Sequence, residues 1–429
     1  MDRIEIKGTK VFRGEVTPPP DKSISHRAVF FSSLAKGTGS VRNFLRAQDT
    51  LSTMHAFRSL GVDIRDDGQV MIVTGKGIHG LSEPSDVINC GNSGTTIRLL
   101  SGVLSGNPFF SVLTGDDSLR SRPMARVITP LSRMGAVITA RAGDRYPPLA
   151  IRGGGLKPLS YEMPMASAQV KSSILLAGLY AGGETVVTEP ARSRDHTERM
   201  LPAFGADLRV DGLNVTVRGG RDLSPVDIVV PGDISSAAFF MVAALVIPGA
   251  EVMIRNVCIN PTRTGIIEAL RSMGAVMKTE NVRDISGEPV ADIYCRGEAG
   301  LKSVEIGGEI VPSLIDEFPI LCVAAALADG VTTIRGAEEL RVKESDRIAA
   351  MAAELRKMGV EIEEFPDGLS IRGTGRLTPA VVESHGDHRI AMAMTVAGLA
   401  AEGVTVIQGA SAVGISFPDF FDMIGRCSS

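Results

Sequence analysis

A chain of 429 residues is too long for one hydrophobic core, and two domains of about 200 residues each is the expectation. Its 44% hydrophobic and 22% charged content is ordinary globular composition. With 45 basic and 49 acidic side chains the net charge is −4, which argues against nucleic acid as a partner.

The start, Met1-Asp2-Arg3-Ile4-Glu5, carries no apolar signal-type segment, so no secretory signal is expected. Residues 3–8 and 10–16 read as strands, and Thr17-Pro18-Pro19-Pro20 reads as a linker, since it can be neither helix nor central strand. Beyond it, one series of apolar helices ends at Gly61, Gly135, Gly205, Gly274, Gly359 and Gly425, spaced 66 to 85 residues apart. Glycine suits a helix C-cap because the chain turns there through positive φ. A second, Ala-rich series interleaves with the first and runs out at Gly37, Gly106, Gly183, Gly249, Gly330 and Gly403. Most of these are followed by β-branched strands such as Val404-Thr405-Val406-Ile407. Each repeat thus reads as helix, strand, helix, strand, with extra strand material, and its period is near one sixth of the chain.

Val230-Pro231-Gly232-Asp233 is a second linker near the midpoint. Three repeats lie between the linkers and three follow, which predicts domains of residues 21–230 and of 1–20 plus 231–429. Two crossings between domains suggest a hinge. The apolar run 237–248 is too short to span a bilayer. Five cysteines without Cys-x-x-Cys spacing point to buried free thiols in a reducing cytoplasm.

Each Ala-rich helix is preceded by polar residues: Asp21-Lys22-Ser23-Ile24-Ser25-His26-Arg27, Asn92-Ser93-Gly94-Thr95-Thr96, Ser167-Ala168-Gln169-Val170-Lys171, Asp233-Ile234-Ser235-Ser236, Asp316-Glu317 and Asp387-His388-Arg389. Capping explains the Ser, Thr, Asn and Asp. It does not call for Lys or Arg at the positive end of a helix, whereas anion binding does. The other helix series adds Arg122 ahead of Pro123, which suits a helix N1 position, and Asp195 with Glu198, which resembles a capping box. Arg341, Lys343 and Arg347 surround Glu344 and Asp346; a solvated salt-bridged face is the alternative there. Pseudo-symmetric repeats would converge these clusters on an inter-domain cleft, for a substrate bearing several negative groups, such as phosphate and carboxylate.

Neither a P-loop nor a dinucleotide Gly-x-Gly-x-x-Gly occurs. His385 and His388 have no evident third ligand, which favours hydrogen bonding over metal. Acid–base work then falls on side chains. Asp316, among apolar neighbours in sequence, is a candidate base whose alternative role is an N-cap. Glu344 is a second candidate for proton transfer.

Five segments in this order resemble the enolpyruvylshikimate phosphate synthase family: Asp21-Lys22-Ser23-Ile24-Ser25-His26-Arg27, Gly91-Asn92-Ser93-Gly94-Thr95, Leu119-Arg120-Ser121-Arg122-Pro123-Met124, Arg341-Val342-Lys343-Glu344-Ser345-Asp346-Arg347 and Gly386-Asp387-His388-Arg389-Ile390-Ala391-Met392. The resemblance covers essentially the whole chain. It implies an α/β, two-domain enolpyruvyl transferase fold of six βαβαββ units, three per domain. It also implies transfer of enolpyruvyl from phosphoenolpyruvate to the 5-hydroxyl of shikimate 3-phosphate with release of phosphate, in aromatic amino acid biosynthesis. The enzyme would be a cytoplasmic monomer with no cofactor, metal, nucleic acid or membrane partner. By the same resemblance Lys22, Ser23, Arg27, Ser167, Gln169, Arg194, Asp316 and Lys343 would hold shikimate 3-phosphate. Lys22, Gly94, Arg122, Gln169, Arg347 and Arg389 would hold phosphoenolpyruvate. Asp316 would take the hydroxyl proton, and Glu344, with Lys22 near, would protonate the methylene carbon.

The chain departs from the family in three places, one of them Arg194-Asp195-His196-Thr197-Glu198, which is the pattern of one family subclass. Ile415 stands where many relatives carry Lys, and Ala168 replaces a frequent Ser. One rival is the sister enzyme acting on UDP-N-acetylglucosamine, which usually has a Cys in the loop before the Arg-Pro pair; Thr114-Gly115-Asp116-Asp117-Ser118-Leu119 has none. Another is a non-catalytic phosphate binder, which would leave Asp316 and Glu344 without a role.

Overall fold

Six helices have almost no solvent-facing side: Lys22–Leu34, Gly94–Ser105, Ala168–Gly178, Ile234–Val246, Phe318–Leu327 and His388–Ala400. Rich in Ala, Leu, Val and small hydroxyl residues, they lack a polar stripe and can only occupy a core. In the computed structural model, which describes residues 2–298 and 300–428, they do so as two sets of three. The chain divides into one unit of Pro20–Val230 with Ile285–Gly287, and another of Met1–Pro19, Pro231–Asp284 and Glu288–Ser429. Within each unit the three central helices pack on one another and on the sheets made from the strands that follow them.

Among the described residues five of the six sheets have four strands, and their order follows one pattern. In one, Ile88–Asn89 runs parallel to Phe110–Thr114, which pairs antiparallel with Tyr146–Arg152, itself antiparallel to Val137–Ala140. The same order recurs around Lys36–Arg42, Glu184–Thr188 and Val331–Ile334. The sixth sheet has three strands: Val381–Glu383 lies parallel to Val404–Gln408, and the antiparallel partner is the N-terminal strand Arg3–Lys7, with Arg3 opposite Gln408. The other early strand, Arg13–Val16, runs parallel to Glu251–Cys258.

The turn glycines behave as their spacing predicts at Gly61, Gly135, Gly205, Gly274 and Gly359, with φ of 84°, 113°, 87°, 86° and 89°. Gly425 does not; it lies inside the helix Phe420–Cys427. Gly106 caps its helix at φ −86° and is small for another reason, since a methyl there would overlap the ring of Tyr180. A further glycine set goes unread in the sequence. At Gly8, Gly75, Gly153, Gly219, Gly297 and Gly373 a Cβ would overlap a carbonyl oxygen at the end of a central helix. Their absent side chains let sheet and helix approach closely, at the same point of each sheet.

All five cysteines are buried and free, and burial pushes the Cys295 thiol up to about 12. Among the described residues no single helix is long and apolar enough to cross a membrane.

Candidate active site

In the Pro20–Val230 unit the first turns of the three central helices come together. Asp21 caps the first by accepting from the Ile24 amide at 2.9 Å. Lys22, at its first position, donates to Asp49 Oδ2 at 2.9 Å, both side chains being largely buried. Arg27 is buried and straps three elements together. Its Nε donates to Thr197 Oγ1 at 2.7 Å, its Nη2 to Ser172 Oγ at 2.8 Å and its Nη1 to the Ser23 carbonyl at 3.1 Å.

The second helix opens at Gly94 and is capped by Ser93, whose Oγ accepts from the Thr96 amide at 3.2 Å. A Cβ on Gly94 would stand 3.2 Å from Arg122 Nη1 and 3.4 Å from Arg98 Nη1. Arg122 Nη2 donates to Asn92 Oδ1 at 2.6 Å and Ser118 Oγ at 3.0 Å. Gln169, from the third helix, donates to Thr95 Oγ1 at 3.0 Å and accepts from Arg98. Gly94, Arg122 and Gln169 therefore belong to one cluster, with Arg98 as a fourth member that the sequence reading missed. Its signal was a lone cation one turn into an otherwise apolar helix. Pro123 is not at a helix N1 position: Arg122 ends the short helix Asp117–Ser121, and Met124 is the N-cap of the next, Ala125–Met134.

Ser167 caps the third helix at 3.5 Å from the Val170 amide, and Ala168 is its first residue. Arg194 is half-buried just before the helix His196–Met200. The expected capping box does not form there. Asp195 makes no side-chain cap and instead accepts from Arg199 Nε at 3.0 Å. Glu198 turns inward to Lys171 Nζ at 2.5 Å, which also holds Glu189 at 2.6 Å. Burial raises the Glu198 pKa.

In the other unit the organising group is Arg347, with a 1% exposed side chain. It donates to Asp387 Oδ2 at 2.7 Å, Glu344 Oε2 at 2.8 Å and Asp316 Oδ1 at 3.2 Å. Burial opposes its charge, but Asp387, Glu344 and Asp316 more than offset that and hold its pKa above the usual value. Arg389 adds an Nη1 bond to the Asp316 carbonyl at 3.1 Å and an Nη2 contact with Asp316 Oδ2 at 3.6 Å. Asp316, Glu344, Arg347 and Arg389 are thus one cluster. Asp316 is not a cap, since Glu317 holds that position in the helix Phe318–Leu327. Its surroundings are cationic rather than the apolar ones its sequence neighbours suggested.

Lys343 bonds Glu339 at 3.4 Å, and Arg341 pairs with Asp346 at 2.8 Å. Arg263 was also missed; it is buried and reaches Asp233 Oδ1 at 3.1 Å and Ser235 Oγ at 2.8 Å. His385 bonds Glu354 at 2.8 Å. Ile415 is a buried apolar side chain at the end of the 3₁₀ segment Ala410–Ile415 and adds no charge.

A helix start without a Cβ, facing two guanidinium groups, suits a compact anion. Carboxylates fixed by buried arginines suit proton transfer at defined positions. Residues 6–424 match the family model for EPSP synthase (3-phosphoshikimate 1-carboxyvinyltransferase). The chain is 56% identical over 426 residues to the 3-phosphoshikimate 1-carboxyvinyltransferase of Geotalea uraniireducens, covering 99% of both chains. It is 55% identical over 429 residues to that of Geobacter metallireducens, covering 100% of each. A solved EPSP synthase from Acinetobacter baumannii superposes with a TM-score of 0.89 at 48% identity, over 100% of this chain and 98% of that one.

Proposed function

The chain belongs to the EPSP synthase family and is a transferase of carboxyvinyl groups, and from that premise we propose how its side chains carry the reaction. Its substrates are phosphoenolpyruvate and shikimate 3-phosphate. The observation that carries the assignment is the start of the helix Gly94–Ser105, where Gly94 leaves its amide end open beside Arg122, Arg98 and Gln169. Lys22, Gly94, Arg122, Gln169, Arg347 and Arg389 hold phosphoenolpyruvate. Lys22, Ser23, Arg27, Ser167, Gln169, Arg194, Asp316 and Lys343 hold shikimate 3-phosphate.

Asp316 removes the proton of the 5-hydroxyl as its oxygen adds to the central carbon of phosphoenolpyruvate, while Glu344, with Lys22 near, delivers a proton to the methylene carbon. The tetrahedral adduct then loses a methyl proton and inorganic phosphate, restoring the double bond on the new ether. Fixed cations stabilise the charge concentrated in that adduct. Asp316, held by Arg347 and Arg389, supports the base assignment because its oxygens have one defined orientation. The reading extends to a cytoplasmic monomer without cofactor, with residues 21–230 and residues 1–20 plus 231–429 as domains of three repeats each; the buried free thiols support a reducing compartment.

The test is phosphate release on mixing the protein with both substrates. Release that needs shikimate 3-phosphate and is not replaced by UDP-N-acetylglucosamine is the expected result. No release with either acceptor overturns the reading.

A further inference from the structure

His26 lies between Lys22 and Arg27 on the first central helix, fully buried, and the roles assigned to that helix do not use it. Its Nδ1 is 2.7 Å from Thr53 Oγ1, which is 2.6 Å from Thr96 Oγ1. Thr96 Oγ1 in turn donates to Ser93 Oγ at 2.8 Å. Each threonine hydroxyl has one proton to give. Because Thr96 gives its proton to Ser93, it must accept from Thr53. Thr53 has then spent its own proton and must accept from His26. The imidazole therefore carries hydrogen on Nδ1. Its Nε2 is buried with no hydrogen-bond partner, so a second proton there would have nowhere to bond. Burial, then the charges of Lys22 and Arg27, hold the His26 pKa well below the usual value, in keeping with a neutral ring.

We propose that His26 is a positioning residue for phosphoenolpyruvate: it sets the direction of a buried hydrogen-bond chain that fixes Ser93 as the cap of the helix opening at Gly94. The proposal rests on the assignment of that helix start to phosphoenolpyruvate. With the chain intact, Ser93 Oγ is kept on the Thr96 amide, and the first turn is held in the shape that exposes its end to the anion. With the chain broken, the Thr96 hydroxyl can turn its proton away from Ser93 Oγ, which removes one of the two bonds that fix the cap.

Nitrogen-detected NMR of the full-length protein with labelled histidine tests the chain without reference to turnover. One of its 6 histidines should show a protonated Nδ1 and a bare Nε2 at neutral pH, and that signal should vanish in His26→Asn. An Nε2–H tautomer or an imidazolium at His26 overturns the proposal.

The kinetic arm uses Thr53→Val, which breaks the chain outside the Lys22 helix. It should raise KM for phosphoenolpyruvate roughly tenfold and leave that for shikimate 3-phosphate within about twofold. His26→Leu should match it, the double variant should be no worse than either single one, and His26→Asn, whose amide can make the same donation, should restore KM. An unchanged KM in Thr53→Val, or a larger effect on shikimate 3-phosphate, overturns the positioning role. A wild-type protein inactive with both substrates would instead sink the functional reading, while the NMR result still decides the chain.

Discussion

Arg27, Arg98 and Arg122 in the Pro20–Val230 unit donate to hydroxyl, carbonyl and amide oxygens, whereas Arg263, Arg347 and Arg389 in the other unit lie within 3.6 Å of Asp233, Asp387 and Asp316. Arg27, Arg98 and Arg389 stand on central buried helices, whereas Arg122, Arg263 and Arg347 stand at or beside the ends of the other helix series. The side-chain chemistry differs. A bond to a neutral oxygen fixes the direction of a guanidinium, which suits aiming it at an anion. Bonds from arginine to carboxylates immobilise the acids, which suits moving a proton. On the proposed reading, the carboxylates that move protons stand in one unit, while the cations that hold the anions come from both.

The sharpest way to break that contrast is Asp316→Asn. If the carboxylate-rich cluster does the proton work, kcat should fall by about 10²–10⁴ while the fold and most shikimate 3-phosphate affinity survive. A near-normal kcat with a lowered Tm would make Asp316 structural. Next comes Arg347→Met, which strands three carboxylates around a buried neutral group. Urea unfolding should show a loss of about 3–5 kcal/mol, since removing one member of a buried ionic cluster leaves the others uncompensated. A loss below about 1 kcal/mol, as for an exposed pair, would mean that the cluster does not depend on its arginine.

Gly94→Ala probes the other unit. The added methyl would crowd Arg122 and Arg98 at 3.2 and 3.4 Å. Phosphoenolpyruvate affinity should drop roughly five- to a hundredfold, from an overpacking cost of about 1–3 kcal/mol, with shikimate 3-phosphate barely affected. If shikimate 3-phosphate is weakened most, this helix end serves the wrong substrate.

The smallest effect is expected from pH. Glu354 is buried; burial works against its ionised form, but Lys357, the Glu383 amide and His385 outweigh that and hold its pKa below the usual glutamate range. A depressed folded pKa contributes stability above the unfolded value that fades as pH falls through the folded one. Denaturant midpoints should therefore decline below about pH 4.5, and Glu354→Gln should flatten that decline. An identical acid profile in the variant would remove Glu354 from the account.

Local geometry was legible in the sequence where a backbone conformation admits few residues. Gly61, Gly135, Gly205, Gly274 and Gly359 mark helix ends because their φ is positive. Gly8 and Gly373 were opaque, because what excludes a side chain there is a helix carbonyl brought in by packing. The same limit explains Asp316. Its sequence neighbours are apolar, but its partners Arg347 and Arg389 stand 31 and 73 residues further on. Asp195 and Glu198 have capping-box spacing, yet a buried Lys171 competes for Glu198 and wins. Composition of a segment reports who could bond, whereas tertiary neighbours decide who does.

Strand Arg3–Lys7 pairs with Val404–Gln408, and Arg13–Val16 with Glu251–Cys258. On the ribosome these early strands emerge long before their partners. At about 5–20 residues per second, Arg3–Lys7 waits on the order of 20–80 s for its edge to be covered. The Pro20–Val230 unit waits less: its last strand, Ile228–Val229, pairs with Lys36–Arg42, and the short segment Ile285–Gly287 is added later. That unit can fold while the remainder is still being translated. Until its partner is made, Arg3–Lys7 is an unpaired hydrogen-bonding edge, open to a chaperone or to another nascent chain.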